Sequence, residues 1–310
     1  MFQPDQIVFD RYKVIERIAF GAFSLVYRVI DHSNNQIVCL KIEKIDEDGQ
    51  TMLKHEFSIA KNFNSNFLCR SFDFFDNHEI KGMTMELLED NLANTRRKRG
   101  NPPSIPMLTN IALQCLKGLN EMHEKNFVHS DVKPSNFAFR IIENGNENKD
   151  YCIVTYDFGL SQYDGEDSNI TEYRNNLVRN PRYLSLDTHN TNKWTKTDDI
   201  YALIYSLSDF WNDSLPWDGR TTHKLVYEIK NGYELKKLLP EELHILIDSV
   251  KMPTYQIIEK VEEVLLKMKR NIDQELHYLC DPKDPGLKPK LIKYVFEEKA
   301  EKTFTNQHSA

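Results

Sequence analysis

Apolar residues recur at two different periods along the chain. Over the first 90 residues they gather in short runs rich in β-branched side chains, at 12–18, 25–30, 37–42 and 82–88, each bounded by polar or turn-forming residues. This pattern predicts strands. Between the third and fourth runs, Leu53, Phe57 and Ala60 share one stripe of a helix expected near 50–63. Past residue 103 the period becomes 3.6. Ile105, Leu108, Ala112, Cys115, Leu119 and Met122 predict a buried helix, with Ser104 as its N-cap and Pro106 tolerated in its first turn. Ile200, Leu203, Ile204, Leu207 and Trp211 predict a second helix, opened by the polar Thr197-Asp198-Asp199. Ile257, Ile258, Val261, Val264, Leu265 and Met268 predict a third, after Pro253-Thr254. Between the first two helices, apolar runs at 137–142 and 151–156 flank the turn-like Asn144-Gly145-Asn146 and predict a hairpin. The expected class is therefore α+β: a small β-rich lobe, then a larger helical lobe. The last residues are charged and weakly patterned, as a tail or one peripheral helix would be.

Composition narrows the function classes. With 310 residues, 40% of them hydrophobic, the chain can bury a sizeable core in one large domain or two lobes. Forty Lys and Arg against 47 Asp and Glu give a net charge of −7, which argues against nucleic acid as the main partner. No apolar run approaches the ~20 residues of a membrane span, and the best candidate, 200–211, is interrupted by Ser206, Ser208 and Asp209. The start of the sequence has no basic region followed by an apolar stretch, so no secretory signal is expected. Cys39, Cys69, Cys115, Cys152 and Cys280 are scattered without a C-x-x-C pair, which suits reduced thiols in an intracellular protein and offers no zinc site. The expected compartment is cytoplasmic, and the basic run Arg96-Arg97-Lys98-Arg99 leaves a nuclear address open, although the simpler reading is a solvated helix face. No repeat or other oligomer signal is present, so a monomer is expected.

The chemistry is concentrated in a few ordered motifs. His129-Ser130-Asp131-Val132-Lys133-Pro134-Ser135-Asn136 precedes the predicted hairpin, and Asp157-Phe158-Gly159 follows it. Upstream, Val38-Cys39-Leu40-Lys41 ends a predicted strand and Glu56 lies on the helix after it. Earlier still, Ile18-Ala19-Phe20-Gly21-Ala22-Phe23-Ser24-Leu25-Val26 joins two strands. Singly, each string is weak: Lys41 alone would read as a surface lysine and Glu56 as a solvated helix residue. Five motifs in one order, each on a fitting element, are a strong signal.

This order resembles the eukaryotic protein kinase motif set of glycine loop, strand lysine, helix glutamate, H-x-D-x-x-x-x-N loop and D-F-G. The resemblance implies a bilobal kinase-like fold that transfers the γ-phosphoryl group of ATP with Mg²⁺. Phosphoryl transfer is mostly positioning and charge neutralisation. Lys41 would hold the α- and β-phosphates and Glu56 would hold Lys41. Asp157 and Asn136 would be the metal ligands. Asp131 would accept or orient the proton of the attacking hydroxyl, and Lys133 would steady the transferring group. The stretch from Ile18 to Val26 would cover the phosphates.

The flanking residues are similar to the casein kinase 1 group, and to its tau-tubulin kinase-like branch in particular. The resemblance rests on HSDVKPSNFAF at 129–139, on Arg182-Tyr183-Leu184-Ser185-Leu186-Asp187-Thr188-His189, on Asp198-Asp199, on Ser214-Leu215-Pro216-Trp217 and on Met252-Pro253-Thr254-Tyr255. It covers residues 11–282: an N-lobe at 11–85, a hinge at 86–90 and a C-lobe at 91–282, with an extension at 1–10 and a tail at 283–310. It implies that Met85 is the gatekeeper and that Glu86 to Leu88 read adenine through backbone groups, with Cys39 lining the same pocket. It further implies protein substrates phosphorylated on Ser or Thr, with acidic or pre-phosphorylated sequences favoured. Arg182 stands at the group's anion-binding position, and Arg174, Arg179 and Arg220 add charge nearby.

Departures from the motif set leave a second reading open. Ala19 and Ser24 replace two glycines of the phosphate loop, Ser130 replaces the arginine after the catalytic histidine, and Asn180 replaces a threonine ahead of the Arg-Tyr pair. A pseudokinase scaffold that binds nucleotide or a partner with little turnover is the alternative to an active kinase.

Overall fold

A computed structural model describes residues 2–20, 24–44, 52–77, 80–143, 149–164, 181–220 and 222–268. The phosphate-loop residues Gly21, Ala22 and Phe23, the arginines Arg174 and Arg179, Asn180, and the expected tail lie outside these residues.

The first lobe is an antiparallel sheet in the order β1-β2-β3-β4-β6-β5, formed by β1 (Ile7–Val8), β2 (Tyr12–Phe20), β3 (Ser24–Asp31), β4 (Gln36–Lys44), β5 (Ser71–Asp76) and β6 (Ile80–Met85). Helix α1 (Met52–Ala60) crosses one face. Strand periodicity sorts β4 onto two faces. Val38, Leu40 and Ile42 pack with Tyr12, Val14, Tyr27 and Val29, while Cys39 packs with Leu53, Ile59, Met83 and Met85 beneath α1. Lys41 has the parity of Cys39, so it emerges on the α1 side. The arm of β2 beyond Ile15 leaves the core: Ile18 and Phe20 are exposed although apolar.

The predicted strand at 82–88 is β6, which stops at Met85. Strand β5 was not predicted. A register shift between Ser71 and Phe74 puts its aromatic residues out of phase, so the alternation that marks a strand is absent.

The second lobe is helical, with α2 (Leu92–Lys98), α3 (Ile105–Glu124), α4 (Leu186–Thr191), α5 (Lys196–Asn212), α6 (His223–Asn231), α7 (His244–Asp248) and α8 (Thr254–Met268). The three predicted helices are α3, α5 and α8. Ser104 caps α3 by accepting from Met107 N, and Thr195 and Asp198 form a capping box on α5. The predicted hairpin is β8 (Phe137–Glu143) with β9 (Lys149–Thr155), and a short pair is formed by β7 (Phe127–Val128) and β10 (Gln162–Tyr163). Helices α3, α5 and α8 share one core with Val132, Phe137 and Phe139. No helix among the described residues is long and apolar enough to cross a membrane.

The basic run at 96–99 differs from the solvated face expected. Arg97 and Lys98 are exposed, but Arg96 is ion-paired with the buried Asp209. The Arg99 side chain is only 2% exposed; its guanidinium lies over the Phe210 ring and pairs with Asp213 at 2.7 Å. Two of the four charges therefore dock α2 onto α5.

Among the described residues, two seams help join the lobes. Segment 67–69, after α1, pairs with the end of β9: Cys69 N donates to Thr155 O at 2.9 Å and Thr155 N to Phe67 O at 2.9 Å. Next to it, the buried Arg140 of β8 reaches the hinge, giving Nε to Glu86 Oε2 at 2.8 Å and its other nitrogens to Glu86 Oε1, Asn66 O and Leu68 O.

Candidate active site

Strand β4, helix α1 and two turns bring Lys41, Glu56, Asp131, Lys133, Asn136 and Asp157 together where the lobes meet. Lys41 of β4 and Glu56 of α1 face each other, with Nζ to Oε2 at 2.7 Å. The same ammonium donates to Asp157 Oδ1 at 2.9 Å. Glu56 is nearly inaccessible, at 2%, and Lys41 is 15% exposed. Burial pushes the Glu56 carboxyl up to about 7, against the pull of the Lys41 charge. Burial would lower the Lys41 ammonium, but the charges of Asp157 and Glu56 hold it above its ordinary value. Burial would likewise raise Asp157, and Lys41, by charge and hydrogen bond, brings it below the usual carboxylate range. The group of three thus stays ionised at the cation and at Asp157.

The second cluster lies on the catalytic-type loop. Lys133 Nζ donates to Asp131 Oδ2 at 2.6 Å. Asn136 Nδ2 donates to Asp131 O at 2.9 Å and to Asp131 Oδ2 at 3.1 Å. Both acceptors on that nitrogen fix the amide orientation, so the Asn136 oxygen is the side chain's remaining acceptor. The loop is tied to the strand that leads into Asp157. Tyr156 N donates to Asn136 O at 3.0 Å, Tyr156 Oη to Ser135 O at 2.5 Å, and His129 Nε2 lies 3.1 Å from Tyr156 O. Asn136, Asp131 and the strand leading into Asp157 are thereby braced against one another.

Two residues of the site adopt positive φ: Ser130 at 63° and Asp157 at 67°. Such residues persist only where their surroundings hold them. Buried Asp199 supplies that hold for the loop. Its Oδ1 accepts from Ser130 N at 3.0 Å and Trp194 Nε1 at 2.7 Å, and its Oδ2 from His129 N at 2.7 Å, with His123 Nε2 at 3.0 Å. Burial would raise this carboxyl, but the bond and charge of His123 and the His129 charge and amide keep it below the ordinary range. Phe158 is buried among Leu53, Ile59 and Phe127, and its ring centroid lies 6.2 Å from Phe63 and 5.9 Å from His129.

At the hinge end of the site, Cys39 opposes Met85 in the β4–β6 ladder, and both are buried. Burial pushes the Cys39 thiol up to about 12, so it is not a nucleophile. Val26 packs with the same cluster, as do Leu87 and Leu88 just past Met85. The Glu86 side chain pairs with Arg140, while its N–H donates to Arg70 O at 3.0 Å. Ile18, Ala19 and Phe20 end β2, and Ser24 and Leu25 begin β3, with Ala19 opposite Val26 and Phe20 opposite Leu25.

Arg182 is placed differently from a waiting anion site. Its guanidinium pairs with Asp209 and, at 2.7 Å, with Asp218, so two carboxylates already compensate it. Sequence reasoning also missed Arg140, Tyr156 and Lys230. Lys230 carried a readable signal, since it follows the buried Val226 by one helical turn.

What converges is a cation held between two carboxylates, beside an aspartate, a lysine and an amide. A protein kinase domain profile matches residues 12–276. Among curated proteins, the chain is 27% identical over 82% of its length to a Dictyostelium discoideum protein named "Probable serine/threonine-protein kinase". It is 26% identical over 75% to an Encephalitozoon cuniculi protein named "Probable casein kinase I homolog", and 29% identical over 79% to casein kinase I homolog 1 of Schizosaccharomyces pombe. The matches span 52%, 79% and 57% of these relatives, so the chain covers only about half of the first and the third. The profile spans nearly all of the described structure and every motif that builds the cleft, and on that ground the chain belongs to the protein kinase family.

Proposed function

We propose that this chain is an active serine/threonine protein kinase that transfers the γ-phosphoryl group of ATP, with Mg²⁺, to protein hydroxyls. The observation that carries the reading is the Lys41 ammonium held by Glu56 and Asp157 beside the Asp131–Lys133–Asn136 cluster. Lys41 is presented to the α- and β-phosphates with its charge secured by two carboxylates. Asp131 accepts the hydroxyl proton, and Lys133, which can swing from Asp131 to the phosphoryl oxygens, offsets charge as it builds. The donor set suits a hard cation: Asp157 has a carboxylate oxygen beyond the one on Lys41, and Asn136 has its amide oxygen. Asp157 and Asn136 would hold Mg²⁺, and the chemistry it would supply is charge neutralisation at the phosphates. Val26, Cys39, Met85 and Leu88, which share one cluster, would line the adenine region, with Ile18 and Phe20 at the end of β2 covering the phosphates and the hinge backbone as the polar edge.

The acceptor class is a serine or threonine in a protein. An acidic or pre-phosphorylated flank would need to compete with Asp209 and Asp218 for Arg182, so we place no weight on that arginine as the selective element. The deciding experiment incubates the purified chain with γ-labelled ATP, Mg²⁺ and casein, dephosphorylated casein or a phosphopeptide library. Label on Ser or Thr in the wild type, absent with Asp131→Asn, establishes the activity. Nucleotide binding without transfer to any of these would replace it with the scaffold reading that Ala19, Ser24 and Ser130 favour.

A further inference from the structure

Lys230 is a buried cation with no carboxylate partner among the described residues. It lies near the end of α6, is 3% exposed, and is not an ion-pair member there. Its Nζ donates to Pro181 O at 2.8 Å and to Leu184 O at 2.7 Å. The same nitrogen stands 4.5 Å from the Tyr205 ring centroid and 4.8 Å from that of Trp217. Burial pushes the ammonium down to about 6, whereas two carbonyls and two ring faces favour the charged form. An apolar side chain would fill this space without the desolvation cost. The cost makes sense only if the two carbonyls need a donor.

They do, because segment 181–184 has no strand or helix to satisfy it. Its backbone carbonyls are taken up by side chains from the helical lobe: Pro181 and Leu184 by Lys230, and Arg182 by Trp217 Nε1 at 2.8 Å. Tyr183 Oη donates to Asp209 Oδ2 at 2.8 Å. The segment then enters α4 through Ser185, whose hydroxyl donates to Asp198. Asp198 and Asp199 are adjacent in the first turn of α5, and Asp199 holds the backbone of His129 and Ser130. One helix start therefore fixes segment 181–185 with one aspartate and the Asp131 loop with the next.

We infer that Lys230 is a positioning residue for the protein substrate: by clamping the carbonyls of Pro181 and Leu184 it holds segment 181–184 as a rigid platform, in register with Asp131, for the acceptor peptide. This inference rests on the kinase reading above. Lys230 touches neither nucleotide nor the reacting atoms, so its removal should act on the protein substrate alone.

The test is steady-state kinetics of the full chain with casein and ATP varied separately. Lys230→Met keeps the apolar stem and removes the donor. The expected result is a rise of about tenfold or more in KM for casein, with KM for ATP within twofold of wild type. Trp217→Phe keeps an aromatic face but removes the indole N–H and its bond to Arg182 O, and should move KM for casein the same way by about threefold. Should Lys230→Met fail to fold, Trp217→Phe decides alone, and an unchanged KM for casein overturns the inference. Equal changes for both substrates, or none, also overturn it while leaving the kinase reading intact. A wild-type chain that labels no protein removes both.

Discussion

Lys41 and Asp157 are 116 positions apart in the chain, yet the ammonium lies 2.9 Å from the carboxylate, with Glu56 closing the other side. Removing the cation leaves two carboxylates facing each other, one of them buried. Lys41→Met should lower phosphoryl transfer by about 10²–10³, the scale of losing one preorganised charge. A transfer assay paired with nucleotide titration checks this, and wild-type turnover in the variant would exclude Lys41 from the chemistry.

Asp131 holds Lys133 and Asn136, and among the described residues its side chain makes no bond to a distant part of the chain. Asp131→Asn preserves its size and removes the proton acceptor. We expect kcat to fall by about 10²–10⁴, the usual contribution of general acid–base catalysis. KM for ATP should stay within threefold, and thermal unfolding should be unchanged.

Asp199 gives a pH-dependent prediction. Its carboxyl is depressed in the folded chain, so the unfolded state binds the proton more readily. The stability it contributes is fully present above the ordinary aspartate value of about 3.9 and is lost as pH falls through the lower folded value. Asp199→Asn breaks a fully buried, four-bond site and should cost about 3 kcal/mol at pH 7. Urea unfolding of both proteins from pH 7 down to pH 3 should show the gap constant at first and narrowing only below pH 4. A gap that does not narrow in acid would contradict the role given to this carboxylate.

Gly118 of α3 has no room for a methyl group. An added Cβ would lie 2.5 Å from Thr155 Oγ1 and 2.8 Å from the backbone oxygen of Phe67. Those are the atoms of the interlobe seam, and the backbone oxygen cannot turn aside. Gly118→Ala gains helix propensity but should still destabilise by about 1–3 kcal/mol through overpacking. Thermal unfolding would show it, and a raised Tm would mean the seam is looser than its geometry.

Much of this was legible in the residues because the chemistry is local. The strand ending in Lys41, the helix bearing Glu56 and the two loops each announce themselves by period and by short motif. Other features are written in the third dimension only. Strand β5 is hidden by its register shift, and the basic run at 96–99 reads as solvated until Asp209 and Phe210 close over Arg96 and Arg99. Arg140 sits in a β-strand like any edge arginine, and its acceptors are Glu86 and the carbonyls of residues 66 and 68, which no spacing rule connects. The alternative use of Arg182 was equally invisible, since its partners lie 27 and 36 positions downstream.

The seam at residues 67–69 has a mechanical meaning. Segment 67–69, which follows α1, is stitched to β9, whereas Lys41 travels with the sheet above. Helix α1 is itself fastened to that sheet, since Leu53 N donates to Glu43 Oε2 of β4 at 2.9 Å and the Phe57 ring stacks on Phe74 of β5, so the Lys41–Glu56 pair lies between an attachment above and a stitched segment below. The length of that bridge is therefore a gauge of how the helix is seated between jaw and hinge.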